Sequence, residues 1–363
     1  MARLRAGIIG ATGNVGQMYI KLLEAHPYFD VSYVAASPQS AGKKYRDAVA
    51  SRWFMPTEIP AAVADMVVGD ANDYQSVKGK CDFVFSALDL DKKLIRELED
   101  NYARIGLPVV SNNSAHRSTP DVPMLIPEIN HAHTAIIPRQ RKARGWDRGF
   151  IVVKPNCSLQ SYLTPVHALA AAGYPVSSMI ITTMQAVSGA GYNGVPSMDM
   201  VDNLVPYIGG EEEKSEDEPH KILGHIEGDR IVPDPTLKIS AHCNRVPVTD
   251  GHTACVSMAF AGAKPSREEI LRVWRAYRSL PQEMKLPMAP ETPILYREEE
   301  NRPQPRKDRD ADKGMSVVVG RLRECKVFDI RFVGLSHNTV RGAAGGGVLN
   351  AELLLRQGYL TPA

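Results

Sequence analysis

The run Phe150-Ile151-Val152-Val153-Lys154-Pro155-Asn156-Cys157-Ser158-Leu159-Gln160 carries the residue best suited to nucleophilic chemistry. Its apolar start reads as a buried strand stopped by a proline. A helical pattern follows in Leu163, Val166, Leu169 and Ala170, ending at Gly173. Cys157 is therefore expected in the first turn of a helix, where unpaired N–H groups and the helix dipole favour thiolate over thiol. A thiolate placed this way attacks an acyl carbon or an aldehyde.

Such a nucleophile needs a proton partner, and the chain offers 10 histidines. His26, His167 and His225 read as surface or helical residues; His131 and His133 lack the spacing of a zinc site, and no metal is expected. His252 differs, because it follows the Asp250-Gly251 turn pair at the start of an apolar strand, close to an Arg245 that interrupts another. If residues 238–248 and 252–261 pair as a regular hairpin, Arg245 and His252 share a face about 13 Å apart at ~3.3 Å per residue. An irregular turn at Pro247 would bring them closer. Arginine suits a carboxylate, held through two parallel hydrogen bonds.

These side chains need a scaffold, and the N-terminal half reads as a doubly wound one. Residues 4–9 form an apolar strand running into Gly10-Ala11-Thr12-Gly13-Asn14-Val15-Gly16, then a helix over 17–24. Strand, glycine turn and helix in that order suit a dinucleotide pyrophosphate. The second strand, 31–36, ends not in a carboxylate but in Ser37-Pro38-Gln39-Ser40-Ala41-Gly42-Lys43-Lys44. Hydroxyls and lysines there favour NADP through Ser37, Ser40 and Lys43; the alternative is a solvated loop. A further strand, 81–88, ends in the small residues Ser86 and Ala87 beside the expected cofactor. Helical spacing over 91–104, a strand over 108–111 and the polar loop Ser111-Asn112-Asn113-Ser114-Ala115-His116-Arg117 complete the βαβ alternation. Arg117 reads as an anion clamp or a surface salt bridge.

The second half changes character. Strands are expected over 178–185, 238–248, 252–261, 315–319 and 327–333, with a helix over 264–280, giving an α+β domain on a mostly antiparallel sheet. The acidic run over 211–218 reads mostly as a solvated face, and the charged, proline-bearing stretch 297–314 as a long loop or arm. The tail Asn338-Thr339-Val340-Arg341-Gly342-Ala343-Ala344-Gly345-Gly346-Gly347 precedes a helix over 348–356, which is expected to return to the first domain. The division expected is a cofactor domain, 1–156 completed by 338–363, and a catalytic and dimerisation domain, 157–337.

Composition bounds the partners. A net charge of +2 over 363 residues argues against a nucleic-acid binder, and no apolar run approaches the ~18–20 residues of a membrane span. The N-terminus shows no signal-peptide pattern. Five cysteines without a CxxC pair suit a reducing cytoplasm.

Taken in order, the glycine turn, Ser111-Asn112-Asn113-Ser114, Lys154-Pro155-Asn156-Cys157-Ser158, Gln185-Ala186-Val187-Ser188-Gly189-Ala190-Gly191, Asn244-Arg245-Val246-Pro247-Val248 through Gly251-His252, and the glycine-rich tail resemble the aspartate-β-semialdehyde dehydrogenase family, in its archaeal and fungal branch. The resemblance runs nearly end to end. It implies Cys157 as acylated nucleophile, His252 as acid/base and Gln185 as the residue orienting the acyl intermediate. It gives Arg245 the substrate carboxylate, Glu218 and Lys221 the substrate amine and phosphate, Arg117 a second phosphate contact, and Asn156 the framing of the thiolate. Ser188, Gly189, Asn338 and Gly345 join the glycine turn around NADP. The implied reaction is NADPH-dependent reduction of β-aspartyl phosphate to aspartate semialdehyde, in a homodimer or homotetramer. Malonyl-CoA reductase, with the same thioester and hydride logic, is the rival reading; an idle NADP-binding interaction protein is the rival of another class.

Overall fold

The computed structural model describes residues 3–363. Six short apolar segments form one fully parallel sheet: β1 (Leu4–Ile9), β2 (Phe29–Ala36), β3 (Gly69–Asp70), β4 (Phe83–Ser86), β5 (Val109–Ser111) and β6 (Ile151–Val153). Their order is β3-β2-β1-β4-β5-β6, so the chain reverses direction across the sheet between β1 and β4. Ligands in such sheets collect at that crevice, beyond the carboxyl ends of the strands. Near-continuous burial of β4, β5 and β6 explains their unbroken apolar sequence, since crossovers cover both faces.

The glycine turn after β1 is fixed by space. A Cβ at Gly10 would fall 2.2 Å from the Ala87 carbonyl oxygen, and one at Gly16 2.3 Å from that of Gly10. The helix that follows, Asn14–Leu23, starts three residues earlier than expected, inside the glycine turn.

The second sheet comprises β7 (Val176–Gln185), β10 (Lys238–Arg245), β11 (His252–Phe260), β12 (Ile294–Arg297), β13 (Val317–Glu324) and β14 (Ile330–Ser336), while β8 (His225–Glu227) and β9 (Arg230–Val232) form a separate small hairpin. The large sheet is ordered β10-β7-β11-β14-β13-β12, mixed but with its three central pairings antiparallel. The expected hairpin of β10 with β11 does not form. Instead β7 lies between them, parallel to β10 and antiparallel to β11. Local turn chemistry at Asp250-Gly251 lost to the pairing of both strands with the longer β7.

That order leaves β10 at an edge, and the acidic run covers it. Glu212 accepts a hydrogen bond from the Cys243 N–H at 3.1 Å and Glu216 one from Ala241 at 2.9 Å. Four residues along the helix Glu211–Ile222 thus match two along the strand, and the free N–H row of an edge is blunted. The run is a lining, not a solvated face. The 297–314 stretch is likewise folded back rather than extended as an arm. Asp308, buried, pairs with Arg297 and Arg302, and Arg309 donates to the Asp250 carbonyl at 3.1 Å.

The last helix, Gly345–Arg356, packs Val348, Ala351 and Leu354 into the same apolar cluster as Leu4, Ile8 and Phe29 of the first sheet and Tyr19 of the helix after β1. His26 corrects another expectation. It is buried, 2.7 Å from Glu352 of this helix, so it ties the first domain to the tail.

Candidate active site

Past β6 the chain is folded by Asn156, whose Oδ1 accepts from the Ser158 N–H at 2.8 Å and its hydroxyl at 2.6 Å. A four-residue 3-10 turn, Ser158–Ser161, follows; the α-helix Leu163–Ala171 begins only after a break at Tyr162. Cys157 therefore precedes a short turn rather than sitting in an α-helical first turn, and little dipole reaches it. Burial pushes its thiol up, as does Glu211, against the pull of Lys154, Arg117 and Arg245. At this sulfur desolvation outweighs the surrounding positive charges.

His252 Nε2 lies 3.3 Å from Cys157 Sγ. Its Nδ1 accepts the Ala186 backbone N–H at 3.0 Å, which leaves the proton of the neutral ring on Nε2, facing the sulfur. Full burial, then the Arg245 charge, push this histidine down to about 3. His252 thus stands as a hydrogen-bond donor to Cys157. Arg245 Nη1 donates to the Ala186 carbonyl at 2.7 Å. A Cβ at Gly189 would fall 2.8 Å from that nitrogen and 3.1 Å from His252 Cε1, so arginine and imidazole adjoin the same point. The hairpin expectation had set them roughly 13 Å apart. Pairing of Arg245 with Gln185 and of Thr253 with Met184 brings them together at the end of β7.

Behind the sulfur lies a carboxylate network. Glu211 accepts from the Asn156 amide at 2.8 and 2.9 Å, from Gln185 at 3.2 Å and from Lys214 at 2.8 Å. Burial pushes Glu211 up, but Lys214 and these bonds outweigh it and hold it below the usual range. Glu211 was not singled out in the sequence, because one glutamate in an acidic run carries no mark of burial. Glu218 accepts from Arg117 at 2.9 Å and from the Asn156 N–H at 2.6 Å. Lys221 Nζ donates to the Arg117 and Thr119 carbonyls at 2.7 and 2.6 Å, and burial pushes it down to about 8. In this geometry Lys221 braces the Arg117 loop.

Two clefts meet at Arg117. One, of about 510 Å³, is lined by Cys157, Asn156, Lys154, Arg117, Asn14, Val15, Ser188, Gly189, Asn338 and Gly342 among others. The other, of about 560 Å³, is lined by Arg117, Glu218, Lys221 and Lys214. The first joins, through Leu88–Leu90, a groove of about 690 Å³ along Gly10, Thr12, Gly13, Ser37, Arg52 and Ala87.

Several expected contacts are displaced from these walls. Ser86 is buried beneath them, accepting from Asn113 at 2.9 Å, and Gly16 packs against the turn. Ser40 is buried and accepts from Arg52 at 3.1 Å, while Lys43 points to solvent outside the groove. Gly345 is also off the cleft: a Cβ there would fall 2.9 Å from Met315 Sδ and Val340 Cγ1, so its role in this fold is packing. Asn338 bridges the Gly251 N–H and Ser188, each at 2.8 Å. Arg52, which the sequence reading missed, lies beyond any glycine motif and had no local signal.

Residues 5–137 match the family model described as semialdehyde dehydrogenase, NAD binding domain, and residues 166–341 the one described as semialdehyde dehydrogenase, dimerisation domain. The chain belongs to the semialdehyde dehydrogenase family. Within it, the chain is 46% identical to the aspartate-semialdehyde dehydrogenase of Methanothermobacter thermautotrophicus, over 97% of this chain and 99% of that one. It is 45% identical to that of Aspergillus fumigatus, over 98% of each. A crystal structure of aspartate semialdehyde dehydrogenase with NADP from Candida albicans superposes with a TM-score of 0.89 at 39% identity, covering 99% of this chain and all of that one. The archaeal and fungal branch of the semialdehyde dehydrogenases is thus where this chain falls.

Proposed function

We propose that the protein reduces L-aspartyl 4-phosphate to L-aspartate 4-semialdehyde with NADPH, in the route to lysine, threonine, methionine and isoleucine. The observation that carries this is Cys157 beside His252 at 3.3 Å, in a cleft continuous with the dinucleotide groove and flanked by Arg117, Lys154 and Arg245. Arg245 binds the substrate carboxylate and Glu218 its amine. Gln185 and Asn156, both held by Glu211, orient the acyl group. The Cys157 S–H bond breaks with its proton passing to the departing phosphate, the sulfur bonds to the acyl carbon as the C–O bond to phosphate breaks, and hydrogen phosphate leaves toward Arg117. When bound, NADPH supplies the hydride for the thioester carbon. Collapse of the thiohemiacetal returns the C–S electron pair to sulfur, with His252 Nε2–H donating to it. The phosphate-dependent reduction of NADP by aspartate semialdehyde tests the reading. Activity with coenzyme A in place of phosphate would favour a malonyl-CoA reductase; tight NADP binding without activity would favour the idle protein.

The groove residues fit a dinucleotide with a 2′-phosphate, because Ser37 and Arg52 stand where an NAD enzyme places a carboxylate. Arg52→Ala is expected to cut the NADP over NAD preference at least about tenfold in kcat/KM, as loss of a charge-assisted contact implies. An unchanged ratio would remove Arg52 from the phosphate site.

We also infer a homodimer or homotetramer, with a second copy on the face of the large sheet that leaves Ile180 of β7 42% exposed. Ile180→Glu should shift the sedimentation coefficient toward monomer; wild-type sedimentation in that variant would move the interface elsewhere. Five free cysteines, and no helix among the described residues long and apolar enough to cross a membrane, support a cytoplasmic location.

A further inference from the structure

Arg341 lies in the turn Val340–Ala344, between β14 and the last helix, and is only 2% exposed. Its guanidinium gathers three separate parts of the chain. Nη1 donates to Glu128 Oε1 at 2.9 Å and to the Met315 carbonyl at 2.7 Å, and Nη2 donates to Thr164 Oγ1 at 3.1 Å. Glu128 belongs to the short helix Pro127–Asn130 that precedes β6 of the first sheet, Met315 precedes β13 of the second, and Thr164 lies in the helix that follows the nucleophile. The anchor is itself fastened. The Glu128 carbonyl accepts from the Tyr277 hydroxyl at 2.6 Å and from that of Ser279 at 2.9 Å.

The tail around Arg341 touches both members of the catalytic pair. A Cβ at Gly342 would fall 2.8 Å from Cys157 Cβ, so this backbone stands against the nucleophile. Asn338 Oδ1 accepts the N–H of Gly251, the residue before His252, at 2.8 Å. The Gly342 N–H donates to the His337 carbonyl at 2.9 Å, which closes the stretch between these two contacts into one turn. Ala343, at φ −141° and ψ −108°, is not helical, so the helix Gly345–Arg356 does not carry its order back into that turn. The arginine fork supplies what the helix does not. A buried ion pair adds little net stability over apolar side chains of the same volume, so what the Arg341–Glu128 pair contributes here is geometry.

We propose that Arg341 is a positioning residue: by pinning the tail to Glu128, Met315 and Thr164 it holds Cys157 and His252 at their separation of 3.3 Å. The proposal rests on these two residues performing the reaction given above. Arg341 itself lines neither cleft nor the dinucleotide groove, so it acts through Gly342 and Asn338. A thiol and an imidazole braced by two ends of one turn move relative to each other when that turn slides, and a misplacement of about 1 Å can cost about 10²-fold in rate. Lysine in place of Arg341 keeps a charge opposite Glu128. With a single nitrogen it cannot hold carboxylate, carbonyl and hydroxyl in the one planar arrangement that guanidinium offers.

The test is stopped-flow absorbance of the NADPH formed in a single turnover of aspartate semialdehyde with NADP and phosphate, beside a fluorescence titration of NADP. Arg341→Lys should slow the single turnover at least about tenfold and leave the NADP dissociation constant within about twofold of wild type. His26→Ala is the control for stability alone. It breaks another buried tie of the tail, 2.7 Å from Glu352, so it should lower the melting temperature yet keep the single-turnover rate within about twofold. Should Arg341→Lys lose cooperative unfolding, Thr164→Val takes its place, since it removes only the contact to the nucleophile's helix. That variant should slow the turnover at least about threefold with NADP affinity unchanged. A wild-type rate in whichever of the two variants is read, or an equal slowing in His26→Ala, would overturn the proposal. A wild-type protein that binds NADP and forms no NADPH would instead overturn the activity on which it rests.

Discussion

Cys157→Ser is expected to lower turnover by on the order of 10⁴-fold or more while leaving NADP affinity within about twofold. The oxygen fits where the sulfur was, and the groove at Gly10, Thr12, Ser37 and Arg52 is remote from it. What fails is activation. A serine hydroxyl holds its proton far more tightly than a thiol does, and His252 turns a donor toward that position. No thioester can form. Stopped-flow absorbance of NADPH during a single turnover, beside a fluorescence titration of NADP, measures both quantities. Near-normal turnover in the serine variant would refute the thioester route.

Gly342→Ala should cost about 10²-fold in kcat/KM, the effect of moving a reacting atom by about an ångström. The added methyl would fall 2.8 Å from Cys157 Cβ and 3.3 Å from its Cα. Neither atom is the far end of a flexible side chain, so the turn over Val340–Ala344 or the nucleophile must shift. Overpacking of this kind also destabilises by about 1–3 kcal/mol, visible as a lower melting temperature. Gly262→Ala is the control, since a Cβ there meets nothing within 4 Å and it should match wild type in both measurements. A Gly342→Ala enzyme with unchanged kcat/KM would show that the tail does not seat the nucleophile.

These two substitutions differ in how visible they were beforehand. Cys157 was legible because its signal is local: an apolar strand, a proline, then a helical period. The glycine turn over 10–16 was legible for the same reason, since strand, turn and helix adjoin in sequence. Gly342 was legible only as a residue permitting a close approach, with nothing to say what approaches. Gly345, in the same run, was expected at the cofactor and instead packs against Met315 and Val340.

By itself the sequence determined the parallel-sheet domain, a second domain on a largely antiparallel sheet and the family, and it nominated Cys157, all from short-range pattern or motif order. Tertiary structure decided the rest, because it depends on strand order and on exclusion of water. Insertion of β7 between β10 and β11 brought Arg245 beside His252, contrary to a turn-based hairpin. An edge strand drew the acidic run inward and set Glu211, as well as the Glu218 already named, against Asn156. Arg52 reached the groove across a loop of unremarkable composition. Protonation was decided last and least locally: burial set the thiol of Cys157 up, and His252 and Lys154 down to about 3 and about 7. Desolvation belongs to the folded surroundings of a side chain and not to its neighbours in sequence, so the residues were readable while their charges were not.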